Sequence, residues 1–195
     1  MLLELNEKWL IALNSLSSTP ELGKMFWFFA DAPILFLPIF LIGMWVYYVI
    51  KDKQTQKKQL LNLFFATVLA LLINIIIQQL VHFDRPESVL EGVWNLLMSH
   101  IPDASFPSDH TAVSIAFVTA LFFSWYKKIS LIFLPFALIM NISRIISWVH
   151  WPFDVIIWTV VWIISGIIIC KYLIKNKYFQ KFQDILLNIA KTFKL

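Results

Sequence analysis

Three stretches of the chain hold the residues able to do chemistry. They are His82-Phe83-Asp84-Arg85-Pro86, Phe106-Pro107-Ser108-Asp109-His110, and Ser143-Arg144 running on to His150 and Asp154. Each stands at the end of a long apolar run. Pro107 suits the first turn of a helix, where its missing N–H costs nothing. The N–H groups that follow are unpaired at a helix start, and the helix dipole draws an anion to them. Ser108 adds a hydroxyl, and His110 adds a proton that moves near neutral pH. The chain carries fourteen lysines but only two arginines, Arg85 and Arg144. A guanidinium fork meets phosphate oxygens two at a time, which an ammonium cannot. The plainer role for this pair is interfacial anchoring, with the side chains reaching to lipid headgroups. Together, the residue types describe a phosphate site with two arginines, two histidines, and a carboxylate to hold one of them.

The elements that must position these residues are membrane helices. The chain is 59% hydrophobic and 14% charged, with a mean hydropathy of +0.75, whereas soluble domains carry roughly 25% charged residues. Few glycines and many aromatics favour helices over a barrel of alternating strands. The expected fold is therefore an all-α integral membrane protein. Residues 1–195 form one domain, a bundle of five transmembrane helices, or six if the N-terminal segment also crosses. Apolar runs near the ~20 residues that a bilayer demands place the spans at about Ala32–Ile50, Leu60–His82, Pro107–Trp125, Ile129–Ser147 and Phe153–Tyr172.

Residues 1–18 read as an amphipathic interfacial helix interrupted by Glu4, Glu7, Lys8 and Asn14, which also argue against a cleavable signal peptide. Residues 176–195 read as a cytoplasmic amphipathic tail. Lys51, Lys53, Lys57, Lys58, Lys127, Lys128, Lys171, Lys175 and Lys177 fall on one side. The positive-inside rule makes that side cytoplasmic and turns the chemical residues outward. Cys170 is a small packing residue in an apolar run, and no basic stripe interleaved with aromatics suggests a nucleic-acid partner.

The motif set resembles that of the type 2 phosphatidic acid phosphatase superfamily. There a first motif ends in Arg-Pro, a second reads Pro-Ser-Gly-His, and a third runs Ser-Arg, five residues, His, three residues, Asp. This sequence has Arg85-Pro86, Pro107-Ser108-Asp109-His110, and Ser143-Arg144 to His150 to Asp154, in that order. Two positions depart from the pattern. Gln78 stands where the family usually has a lysine, and Asp109 replaces the glycine. Asn74, Gln78 and His82 still form a polar stripe at helical spacing, whose plainer role is an interhelical contact. Asp109 must turn its carboxylate away from any anion held by its backbone N–H. Pro-Ser-Asp-His preceded by Asp103-Ala104-Ser105-Phe106 looks like the undecaprenyl-pyrophosphate phosphatases associated with bacitracin resistance, a branch that also dispenses with the lysine.

The resemblance implies roles that phosphoryl-transfer chemistry supports. Arg85, Ser108, Arg144, the backbone at Asp109, and Gln78 as a neutral donor bind phosphate. His150 attacks phosphorus, Asp154 holds the second ring nitrogen of His150, and His110 protonates the leaving group. No cofactor is implied. A metal is not expected either, because the arginines flanking the histidines would repel a cation. The implied substrate is a lipid diphosphate, undecaprenyl diphosphate, taken from the plasma membrane of a bacterium. Other lipid phosphates (phosphatidylglycerol phosphate, phosphatidic acid, lipid A phosphates), a phosphotransferase, an anion transporter, and a vanadate haloperoxidase are the alternatives. Glu87, Glu91, His100 and Asp103 read as solvated loop residues. Asp84 reads as a partner of Arg85 or a lysine, His82 as a helix end or pocket residue, and Trp148 and Trp151 as interfacial aromatics or walls of a tail groove.

Overall fold

The computed structural model describes residues 2–81, 83–90, 96–97, 105–124 and 126–193; His82, Glu91, His100 and Asp103 lie outside them. Among the described residues every regular element is a helix. The chain runs α1 (Leu2–Asn14), α2 (Pro20–Asp31), a 3₁₀ turn at Ala32–Leu35, α3 (Phe36–Ile50) and α4 (Gln54–Leu80). A short α5 (Pro86–Val89) precedes α6 (Asp109–Phe123), α7 (Lys127–Ile146), α8 (Pro152–Ile168) with a π-turn at Ile169–Leu173, and α9 (Lys177–Thr192).

Among the described residues, four segments are long and apolar enough to cross a membrane: Pro20–Ile50, Gln54–Leu80, Lys127–Ile146 and Pro152–Leu173. The third expected span is different. α6 has 15 residues, about 22 Å at 1.5 Å per residue, against a hydrocarbon core of ~30 Å. It can be short because it lies inside the bundle, packed against α4, α7 and α8 and buried from Thr111 to Leu121 on nearly every face. Helices hydrophobic all round belong in such a place. The surrounding helices turn Ile39, Ile42, Leu72, Ile76, Leu131, Ile132, Ile157 and Val160 outward, as a lipid-facing surface requires.

In lipid, apolar side chains gain little by leaving the solvent, so helices hold together by close packing and hydrogen bonds. Ala112 and Ala116 pack with Ala70 of α4, Ala137 of α7, and Trp158 and Trp162 of α8. Thr111 Oγ1 donates to Asn141 Oδ1 (2.9 Å), Asn141 Nδ2 donates to Ser114 Oγ (3.4 Å), and Ser114 Oγ closes the chain on the His110 carbonyl (2.6 Å). This ladder ties the start of α6 to α7. At the other end of the helix, a Cβ on Gly166 of α8 would come within 2.7 Å of Thr119 Cγ2.

The terminal helices dock on the bundle. Asn6, Leu10 and Asn14 line one buried face of α1. Asn14 Nδ2 donates to the Ile146 carbonyl at the end of α7 (2.7 Å), and Asn6 Oδ1 accepts from the Phe153 N–H at the start of α8 (3.0 Å). Asn14, which interrupts the apolar pattern, therefore caps the end of α7, and Asn6 caps the start of α8. α9 meets α4 through Gln183 Nε2 to Asn62 Oδ1 (2.7 Å) and the Lys58–Asp184 ion pair (2.6 Å).

Gly166→Ala is expected to lower the thermal unfolding midpoint in detergent, costing about 1–3 kcal/mol through overpacking. Adding Thr119→Ser should recover part of the loss. A melting curve identical to wild type would contradict the close approach of α6 and α8.

Candidate active site

The site is assembled where six segments meet: the end of α2, the strand-like stretch after α4, the approach to α6, the start of α6, the end of α7, and the turn into α8. The approach to α6 is stapled to its neighbours. The Ser105 N–H donates to the Phe83 carbonyl (2.7 Å), and the Phe106 ring packs between Phe83 and Trp158. The helix itself begins at Asp109 and not at Pro107. Ser108 is its N-cap, with extended backbone and its hydroxyl accepting from the Thr111 N–H (3.4 Å). Capping oxygens of this kind satisfy one of the four unpaired N–H groups of a helix start. Pro107 stays outside the helix, joined to Phe106 by a cis peptide bond.

The turn between α7 and α8 presents Arg144 and His150. The Val149 N–H bonds back to the Arg144 carbonyl (3.2 Å) and the Trp148 N–H to the Ile145 carbonyl (3.0 Å). That pair of bonds is the Schellman closure of a helix, which normally puts glycine in the left-handed position. Here Trp148 takes it, at φ 67°, and its side chain is buried in a cluster with Leu10, Ile145 and Val155. The closure aims the Val149 carbonyl at Arg85, whose Nη1 donates to it at 2.9 Å. Trp151 Nε1 donates to the Asp84 carbonyl (3.0 Å), a second bond between the same two segments.

His150 is 2% exposed. Its Nδ1 lies 2.7 Å from the Ser105 carbonyl. A carbonyl only accepts, so Nδ1 carries the proton and Nε2 keeps its lone pair. Arg144 Nη2 lies 3.3 Å from that Nε2. Burial, together with the Arg144 and Arg85 charges, holds His150 well below the usual imidazole range, against the opposing pull of the Ser105 bond. The ring is therefore neutral, with a nucleophilic nitrogen beside a fixed cation.

On the far side of Arg144, Asp31 Oδ1 accepts from Arg144 Nη1 (2.6 Å) and pairs with His110 Nε2 (2.9 Å). Asp31 and His110 open onto a groove of about 500 Å³ whose other walls are Trp27, Phe28, Ala32, Ile34 and Leu35. A polar corner thus meets an apolar channel on the flank of the bundle.

Two sequence-based expectations need correction, and two further residues join the site. Asp154 does not hold the His150 ring; the Ser105 carbonyl does. At the third position of α8, the Asp154 carboxylate turns back as such residues do, accepting from the Trp151 N–H (3.3 Å) and the Ser105 hydroxyl (2.7 Å). It acts on His150 one residue removed. Gln78 does not reach toward an anion. Its Nε2 directs both hydrogens inward, to the Pro107 carbonyl (2.9 Å) and Asp109 Oδ1 (3.0 Å). Asn74 Nδ2 makes the same two contacts. The Asp109 carboxylate is thereby turned onto α4, so the two departures from the family pattern satisfy each other. Finally, Asp31 and Ser105 were not among the expected site residues. Asp31 lies far from every motif, and only its being a lone carboxylate within an apolar stretch marks it out. Ser105 contributes a backbone carbonyl, which side-chain patterns cannot reveal.

This arrangement has the parts of a phosphoryl-transfer site: a neutral imidazole, two guanidinium groups, a capped helix start, and a second imidazole facing an apolar channel. Comparison with known proteins gives the same class. Residues 59–178 match the model of the PAP2 superfamily, and the chain belongs to that family as a membrane-embedded lipid phosphatase. Among curated relatives, it is 32% identical over 152 residues to the bacitracin transport permease protein BcrC of Bacillus licheniformis, covering 76% of this chain and 70% of that one. It is 29% identical over 162 residues to the undecaprenyl-diphosphatase BcrC of Bacillus subtilis, covering 83% and 79%. The crystal structure of Aquifex aeolicus LpxE superposes with a TM-score of 0.70 at 29% identity, over 86% of this chain and 96% of that one.

The Gln78–Asp109 contact predicts non-additivity. Gln78→Ala and Asp109→Ala should each reduce phosphatase activity, and the double variant should be no worse than the poorer single one. Multiplicative losses would mean that the two residues act separately.

Proposed function

We propose that this protein hydrolyses undecaprenyl diphosphate to undecaprenyl phosphate and inorganic phosphate, recycling the carrier lipid of bacterial wall synthesis at the outer face of the plasma membrane. The observation that carries a lipid substrate is the apolar groove of Trp27, Phe28, Ile34 and Leu35 opening on His110 and Asp31. It suits a substrate whose hydrocarbon tail stays in the bilayer while its phosphates reach Arg144. The naming of the B. subtilis relative as an undecaprenyl-diphosphatase supports this particular lipid. The lysines of the 51–58, 127–128 and 171–177 segments support the outward orientation.

In this reading, Arg144, Arg85 and the α6 start, with Ser108 and the Asp109 backbone, hold the terminal phosphate and neutralise charge on its equatorial oxygens. His150 Nε2 attacks phosphorus, and the bond from phosphorus to the bridging oxygen breaks. His110 gives its proton to that oxygen, which leaves with undecaprenyl phosphate. His110, now neutral, takes a proton from water as the water oxygen attacks the phosphohistidine, releasing inorganic phosphate and restoring both rings. Ser105 and Asp154 keep Nδ1 protonated and Nε2 facing the phosphate, as the orienting carboxylate does in a triad.

The test is phosphate release by purified protein in detergent with EDTA present, comparing undecaprenyl diphosphate with phosphatidylglycerol phosphate and phosphatidic acid. Release from the polyprenyl diphosphate should dominate, and His150→Ala should reduce it by roughly 10³-fold or more. Preference for a glycerophospholipid would overturn the substrate and leave the mechanism. The permease name carried by the B. licheniformis relative favours a second reading, anion transport without cleavage, under which His150→Ala would keep transport.

Phosphoenzyme formation also has an expected pH dependence. Protonating His150 adds a third positive charge beside Arg144 and Arg85, so its neutral form persists as pH falls through 6.5, the usual imidazole value. Single-turnover trapping with an alkaline quench should give phosphohistidine at a rate that does not fall between pH 7.5 and 6, since acidification protonates the general acid His110 and leaves His150 neutral. A loss of rate on acidification with its midpoint at the ordinary imidazole value would contradict the geometry around Nε2.

A further inference from the structure

Asp31 lies outside all three motifs, yet it touches two of the groups that handle phosphate. It is the last residue of α2, at the junction with the 3₁₀ turn that holds Pro33. One of its oxygens, Oδ1, accepts from Arg144 Nη1 and pairs with His110 Nε2. The other arm of the same guanidinium lies 3.3 Å from His150 Nε2. A phosphate placed for attack by His150 would therefore take its donors from Arg144 and His110, the groups that the carboxylate now occupies. Carboxylate and phosphate offer these donors the same thing: negatively charged oxygen at hydrogen-bonding distance. The Asp31 side chain is 47% exposed, and the residue lines the apolar groove, so it stands on the path by which a lipid phosphate would arrive.

We propose that Asp31 is a resident anion of the active site. In the empty site it neutralises the nearly buried Arg144 and occupies His110, and it gives way when a substrate phosphate binds. A buried cation without a partner is costly, and the carboxylate removes that cost between turnovers. It also competes with inorganic phosphate, so it weakens product binding and speeds product release. Asp31 thus sets the site's affinity for phosphate. The inference rests on the phosphate reading of the site and is independent of which lipid is the substrate.

The experiment measures binding of inorganic phosphate and of orthovanadate to detergent-purified wild type, Asp31→Asn, Asp31→Ala and Asp31→Glu, together with KM and kcat on the lipid substrate. Asp31→Asn and Asp31→Ala remove the competing charge and should bind both anions about 5-fold or more tighter, with KM falling in parallel. Asp31→Glu keeps a carboxylate within reach and should stay close to wild type. Equal or weaker anion binding in Asp31→Asn and Asp31→Ala would overturn the proposal. So would a fall in kcat with KM unchanged, which is the signature of a residue that only positions His110. Absence of anion binding in every variant would overturn the phosphate site itself and this inference with it. Should Asp31→Asn fold poorly, Asp31→Ala carries the same expectation.

Discussion

A guanidinium only 2% exposed at the end of an apolar helix is the constraint from which the rest of this molecule follows. Arg144 cannot be left uncompensated among helices that face lipid, because an isolated charge in such a medium costs several kcal/mol or more. Its surroundings are arranged accordingly. Asp31 comes from α2, the neutral face of His150 from the turn ahead, and the backbone of Arg144 itself closes the helix through Val149. The same compensation keeps His150 unprotonated, since a ring beside two arginines gains nothing by becoming a third cation. Compensating the arginine and keeping the imidazole neutral are one arrangement.

The central helix has the complementary task. α6 carries Ser108 and His110 at one end, and its depth in the bundle is set by small residues and by Gly166. Its start is fixed from two sides. The α7 side holds it through Asn141, and the α4 side through Asn74 and Gln78 acting on Asp109 and the Pro107 carbonyl. The loop that we propose binds phosphate therefore hangs between two rigid neighbours instead of relying on its own turn chemistry. Precision of about half an ångström at such sites comes from this kind of outer support.

Much of this was legible in the sequence, for reasons that differ residue by residue. Arg85, Ser108, His110, Arg144, His150 and Asp154 announce themselves because polar residues at the ends of apolar runs are expensive and seldom incidental. Helix positions followed from run length in part: α2 precedes the expected first span at Ala32–Ile50, and α6 is shorter than the expected third. The apolar run at Pro107–Trp125 says how hydrophobic a segment is, not whether lipid or protein surrounds it, so the brevity of α6 could not be read. Asp31 was missed because its partners are separated from it by most of the chain. Ser105 was missed because its working atom is a carbonyl, which every residue has. Asp154 was assigned the correct neighbourhood and the wrong partner, since spacing along a helix does not say which way a carboxylate at the third position turns.

The left-handed Trp148 ties these observations to the N-terminus. A bulky residue at positive φ sits on the order of 1–2 kcal/mol above a glycine there, and what opposes that strain is the burial of the indole against Leu10 and Val155. The family match begins at residue 59, so a turn inside the matched region is kept in shape by a helix that the region does not include. The geometry at His150 is in this sense borrowed from α1. That turn is a tertiary property, and α1 bears on the geometry at His150 through the packing of Leu10 on Trp148.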